Sequence, residues 1–482
     1  MLVVVGAGPA GMAAAAAALD TGADVTLVDS SARLGGQLYR QPAGDVSTSA
    51  SPAAGPCLPE RFRQLSHESR LTYLPETTVW LAEREGAGFR LWLDRPDGPR
   101  STFGVAVVLA TGASELVVPF PGWDLPGVTT AGAAQALRKA YGLTIGDRVV
   151  VAGSGPFLLP VSASLAEGGA TVLAVVEAAA APWLARHLLG GLAHAGKAAE
   201  AARYLRVLRR AGVRLMTSSA VVRVEGDGAV ERVVVSRLRE DGRPIAATGE
   251  SFRADAVCVS FGFVPRIELA RQLGVAEIRR GSPPVSVLAC DRTMAGSVPG
   301  VFVAGETTGI GGGAVAEIEG AIAGRSAARW LSRRASLPVR PGWRRHVADA
   351  MLSVRLAHAR HLAGVLAGAF PERPGWMSIA DDDTIVCRCE DVTFGEIRHA
   401  VEAGATTVAA ARGLTRCGMG YCQGRTCGRS LEMAVSTWSG HTLEEVGDLS
   451  SRPIAMPVAL GLVADAGQPQ IVQCDESHPR TG

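Results

Sequence analysis

Unbroken apolar runs at residues 2–5 (LVVV), 107–110 (VVLA) and 149–152 (VVVA) each end at a glycine or a Thr-Gly pair. Runs this short, without polar alternation, predict strands buried on both faces of a parallel sheet. The first leads through "GAGPAG" into an alanine-rich helical segment and then into "DVTLVD", a second strand ending at Asp29. That order is a βαβ unit. It returns at 148–177, "RVVVAGSGPFLLPVSASLAEGGATVLAVVE", so the chain carries an internal repeat. A further strand at 300–304 runs through a glycine-rich loop into a helix, "GVFVAGETTGIGGGAVAEIEGAIAG". The pattern is that of an α/β protein.

The glycine spacing gives the first unit its chemistry. Gly6 permits the tight turn, Gly8 lets the backbone approach a pyrophosphate, and Gly11 lets the helix close on the strand. The helix start then faces a phosphate with free N–H groups. Asp29 stands where a carboxylate accepts from ribose hydroxyls. In the repeat, Gly153 and Gly155 match Gly6 and Gly8, Leu158 replaces the third glycine, and Glu177 stands near the place of Asp29. Leucine there is expected to push helix and strand apart. NAD(H), another adenine nucleotide, or no ligand at all stay open for this second site; if one binds, Glu177 favours a free 2′-hydroxyl over a 2′-phosphate. Glu306, after "VAG", is placed to accept from a ribityl hydroxyl.

Composition narrows the picture. With 482 residues the chain has room for about three domains. Its 48 Lys+Arg against 46 Asp+Glu give a net charge of +2, no reason to expect nucleic acid. The apolar N-terminus lacks a basic n-region, and Asp20 and Asp24 interrupt it as a membrane span. A cytoplasmic protein is expected, with membrane association left open by the basic amphipathic segment at 343–368. Histidines are dispersed, and no acid–base catalytic set stands out. Residues 42–56, small, polar and proline-bearing, read as an exposed loop.

Five of the nine cysteines fall within 387–427, and such cysteines in a reducing compartment bind metal or do redox work. Cys387-x-Cys389, 32 residues, then Cys422-x4-Cys427 offers four thiolates in two pairs, suited to zinc or a [2Fe–2S] cluster. C-x-C is less usual in structural zinc sites. Thr393 and Glu396 stand in capping-box register, Gly404 is a helix stop, and "TTVAAARG" is a second short helix, so a small helical module brings the pairs together.

The order GxGxxG, acid, "GGQ" (35–37), "ATG" (110–112), second GxG, "GFVP" (262–265), "VAGE" (303–306) resembles the glutathione and thioredoxin reductase superfamily. The superfamily's CxxC beside the flavin is absent, since no cysteine lies between Cys57 and Cys258. The resemblance implies two dinucleotide-binding (Rossmann-like) domains. It implies FAD on Gly6, Gly8, Pro9, Ala10, Gly11, Asp29, Ser30, Gly36, Gln37, Val79, Ala110, Thr111, Gly112, Gly305 and Glu306. The motif "TRCGMGYCQGRTC" resembles the bacterioferritin-associated ferredoxin-like [2Fe–2S] domain; on that match Cys387, Cys389, Cys422 and Cys427 are the ligands and Cys417 is spare. The whole chain is similar to the alpha-type subunit of bacterial heteromeric amino acid or amine dehydrogenases, a group that includes hydroxyproline and proline dehydrogenases, opine oxidase and hydrogen cyanide synthase. That implies an electron-transfer role, a hetero-oligomer with a second flavoprotein subunit of amino-acid-oxidase type, an amine or amino acid substrate, and FMN at a subunit interface as a further cofactor. A stand-alone NAD(P)H-dependent reductase feeding the cluster is the alternative. The expected domains are 1–145 and 271–335 (FAD), 146–270 (second nucleotide fold), 336–380 (helical linker), 381–450 (cluster module) and 451–482 (tail).

Overall fold

The structure is a computed structural model and describes residues 1–42, 58–98, 100–188, 195–281, 283–335, 343–371, 373–449 and 454–466. The 43–56 stretch, most of the tail, Cys57 and Cys474 lie outside them.

Two five-stranded parallel sheets carry the repeat. In the first the order is Val301–Val303, Ala106–Leu109, Leu2–Val5, Val25–Val28, Leu71–Leu74. Residues 2–4 are fully buried, as a strand covered on both faces requires. The second sheet runs Arg214–Met216, Thr171–Glu177, Arg148–Gly153, Ala256–Ser260, Val128–Thr130. Its last strand and the helix Ala131–Tyr141 precede residue 146, so the second sheet recruits chain from the N-terminal side of the repeat.

One helix pair braces the first sheet. Pro9–Leu19 packs on Gly312–Arg334 almost backbone to backbone. A Cβ added at Gly320 would stand 2.0 Å from Ala10 O, and one at Gly324 2.1 Å from Ala14 O. Alanine on one helix and glycine four residues apart on the other are what make this approach possible. Helix Trp343–Ala369 lies along the second of these helices, burying Leu356 and pairing Asp349 with Arg325 and Arg329. The inner face of this basic segment packs on the core. Among the described residues no helix is long and apolar enough to cross a membrane.

The C-terminal module is a short hairpin, Ile385–Cys387 with Val392–Thr393, and helices Phe394–Glu402, Val408–Thr415, Gly428–Ser439 and Leu443–Val446. The Thr393–Glu396 capping box forms in both directions. Phe394, Ile397, Val408, Leu431 and Val435 fill its core, with Phe394 edge-on to Trp438 at 5.8 Å. The module is tied to the rest of the chain: Trp123 Nε1 donates to Ile385 O at 2.6 Å, Ser430 Oγ to Val117 O at 3.0 Å, and Arg271 pairs with Asp448.

Candidate flavin and iron–sulfur sites

The first glycine loop is built as its spacing requires. Gly6 sits at φ +101°, and an added Cβ there would be 2.3 Å from Ala110 O. A Cβ at Gly11 would be 1.6 Å from Gly6 O, so only glycine lets helix Pro9–Leu19 start this close to the strand. The open side is at Gly8, where an added Cβ has only Gly36 Cα near it, at 4.0 Å. Asp29 accepts from Ala7 N–H (2.5 Å) and Ser31 N–H (2.7 Å), which fixes its carboxylate against the loop. A cavity of about 120 Å³ opens here, bordered by Gly6, Asp29, Ser30, Val79 and Thr111.

Three residues not singled out by the sequence complete this site. Arg266 lines the cavity, and its buried Nε has no hydrogen-bond partner among the described residues. Its backbone is locked by Thr111 Oγ1 donating to its carbonyl (2.6 Å) and its N–H donating to Gly112 O (2.9 Å). An orphaned guanidinium nitrogen beside a phosphate-type loop, together with the open cradle at Gly8, fits the pyrophosphate and ribose of a dinucleotide such as FAD. Lys139, 5 % exposed, donates to Gln37 O (3.3 Å) and Leu38 O (3.0 Å) beside the "GGQ" turn. Burial, and then the charge of Arg40, lower its pKa to about 8. Glu319, 1 % exposed, accepts from Gly305 N–H (2.9 Å), Thr308 Oγ1 (2.8 Å) and the Arg360 guanidinium (2.8 Å). It holds the 305–308 turn. Glu306, in that turn, accepts from Gly311 N–H (3.0 Å) and Gly312 N–H (2.9 Å), at the start of the following helix. The tail also returns: Ala455 N–H donates to Trp80 O at 2.7 Å and Ala455 lines the cavity.

The second loop differs. Gly153 still turns tightly, with an added Cβ 1.8 Å from Ser260 O. The expectation that Leu158 pries helix and strand apart is corrected: the helix begins at Leu158 itself, five residues after Gly153, whereas its counterpart begins three after Gly6. Leu158 is then 1 % exposed, a core residue. Glu177 is 9 % exposed and accepts from Gly155 N–H (3.0 Å) and Ala179 N–H (2.8 Å). Burial raises its pKa to about 7, against those hydrogen bonds, which lower it.

The five late cysteines meet in one region. The Sγ atoms of Cys387, Cys417 and Cys427 all lie within 4.8 Å of one another and the three residues are buried. Cys422 is half-buried and engages Cys427; Cys389 is exposed and engages Cys422. Gly418 N–H points at Cys387 Sγ, 3.5 Å away. Hydrogen bonds from Cys417 and then Cys427 hold the Cys387 thiol well below its ordinary range. An all-sulfur donor set with backbone N–H at sulfur fits an iron–sulfur cluster. Cys417, spare in the sequence reading, stands in the buried group; the spacing of the chain alone did not distinguish it from Cys422.

Comparison with known proteins agrees with both halves. The pyridine nucleotide-disulphide oxidoreductase family matches residues 1–329, and the BFD-like [2Fe-2S] binding domain matches 385–435. An opine oxidase subunit of Rhizobium meliloti is 32% identical over 97% of this chain and 99% of its own. Hydrogen cyanide synthase subunit HcnB of Pseudomonas protegens is 33% identical over 88% of this chain and 89% of its own. L-proline dehydrogenase from P. horikoshii shares the fold, with a TM-score of 0.67 at 20% identity, covering 96% of this chain and 78% of the other.

Proposed function

The chain belongs to the pyridine nucleotide-disulphide oxidoreductase family and is related over nearly its whole length to an opine oxidase subunit, and from that premise we propose that it is the FAD- and [2Fe–2S]-containing electron-transfer subunit of a heteromeric amino acid or amine dehydrogenase. The observation that carries this reading is the pairing, in one polypeptide, of a complete dinucleotide loop with a five-thiol pocket docked on the same body. FAD supplies two-electron acceptance with one-electron release, and an iron–sulfur cluster supplies one-electron transfer.

The chain's own residues hold and orient. Gly6, Gly8 and Gly11 shape the loop and its helix start, Asp29 supplies the ribose acceptor and Arg266 a positive charge beside them. Gly305, Glu306 and Glu319 fix the turn on the far side. Cysteines 387, 389, 422 and 427, with Cys417 beside them, supply the thiolates. No acid–base pair for C–N oxidation is placed among these groups, so that step falls to a partner: a second flavoprotein of amino-acid-oxidase type, in the cytoplasm, with FMN at the interface between the two proteins. The second nucleotide fold is read as a brace that does not deliver hydride, supported by the inward-turned Glu177 and the core role of Leu158.

Co-expression with a flavoprotein encoded beside it tests the reading. A hetero-oligomer with more than one flavin per assembly, reduced by an amine or amino acid and left oxidised by NADH in stopped flow, is the expected result. Rapid bleaching of the lone chain by NADH would favour the stand-alone reductase.

A further inference from the structure

Four thiolates complete a [2Fe–2S] site, and this pocket holds five cysteines. Resting on the reading that the module carries such a cluster, we infer that Cys417 is a reserve ligand, able to take the coordination place of Cys422.

The two cysteines share Cys427 as a neighbour. Cys417 is fully buried, with its sulfur in mutual reach of Cys387 and Cys427. Cys422, half-buried, also engages Cys427 and neighbours exposed Cys389. Cys427 is thus common to both groupings, and Cys417 reaches a cluster held by Cys387 and Cys427 without crossing the module.

Backbone hydrogen bonds fix Cys417 there. Helix Val408–Thr415 ends at Arg416, which takes the left-handed conformation at φ 65°. Cys417 N–H then donates to Thr415 Oγ1 at 3.2 Å, and the next amide, Gly418 N–H, donates to Cys387 Sγ at 3.5 Å. Cys422 lies nearer the surface, half-buried beside exposed Tyr421. The chain therefore buries the thiol outside the recognised ligand pattern more deeply than the ligand it stands in for. On becoming a ligand Cys417 gives its thiol proton to solvent, and no electron changes hands.

The full chain, purified without oxygen, tests this as wild type, Cys417→Ala, Cys422→Ala and the double variant. Iron, sulfide and flavin are counted, and EPR spectra of the dithionite-reduced proteins compared. Cys417→Ala is expected to keep its iron and the wild-type g values. Cys422→Ala is expected to keep most of its iron with shifted g values. The double variant is expected to hold at least about tenfold less iron. Cys422→Ala as iron-poor as the double variant, with flavin retained, overturns the inference. Cys422→Ser guards against misfolding of the alanine variant: with Cys417 ligating it shows a sulfur-ligand spectrum, and an oxygen-ligated spectrum there contradicts the inference. An iron-free wild type removes the reading beneath it; an iron-bearing wild type beside iron-free Cys422 variants removes only this step.

Discussion

The two nucleotide folds of this chain share the order of four strands and a turn, and differ at one glycine. In the first, Gly11 lets the helix begin at Pro9, close enough that any Cβ would strike Gly6 O. In the second, Leu158 occupies the matching place and the helix begins there, its side chain sunk into the core between sheet and helices. The carboxylates at the strand ends diverge as well. Both rest their two oxygens on backbone amides, but Asp29 stays partly exposed beside a cavity whereas Glu177 is buried. The same supersecondary unit thus serves as a cofactor cradle where glycine keeps it open, and as packing where leucine fills it.

Exchanging the two positions breaks the comparison most strongly. Leu158→Ala should cost about 2–5 kcal/mol by leaving a buried void, yet leave the flavin-to-protein ratio of the folded fraction unchanged. Gly11→Ala should cost roughly 1–3 kcal/mol through overpacking. It should also strip flavin from protein that still folds, since the helix start must retreat from the loop. Thermal melts and flavin counts on both variants read this directly; flavin loss in Leu158→Ala, or full flavin in Gly11→Ala, would reverse the assignment of roles.

A smaller effect sharpens the contrast between the acids. Glu177 has its pKa raised to about 7 from an ordinary 4.5 by burial. The folded state therefore holds the proton more tightly than the unfolded one. The stability this adds is fully present below pH 4.5 and lost as the pH rises through about 7. Melting temperature of wild type relative to Glu177→Gln should fall across that window. A pH-independent difference would mean that Glu177 is open to water.

Much of this was legible in the sequence because it rests on local geometry. The LVVV strand, the glycine turn, Asp29 in register and the Thr393–Glu396 capping box all depend on neighbours a few residues apart. What escaped depends on distant chain. Glu319 and Arg360 meet only because two long helices lie side by side, and Arg266 reaches the cavity only because the strand just before it, Phe263–Pro265, pairs with Ala113–Glu115. Leu158 was identified as the odd residue, but its consequence was not: a helix can shift its start along the chain instead of lifting off the sheet. Cys417 and Cys422 stand at equal steps of five from their neighbours in the motif, so spacing alone could not rank them.

The most direct measurement is a combined iron and flavin count with low-temperature EPR on the anaerobically purified, dithionite-reduced chain. Bound FAD together with two irons per chain and the paramagnetic signal of a reduced [2Fe–2S] cluster is the expected result. Protein that is folded yet colourless and free of iron would contradict the role of electron conduit.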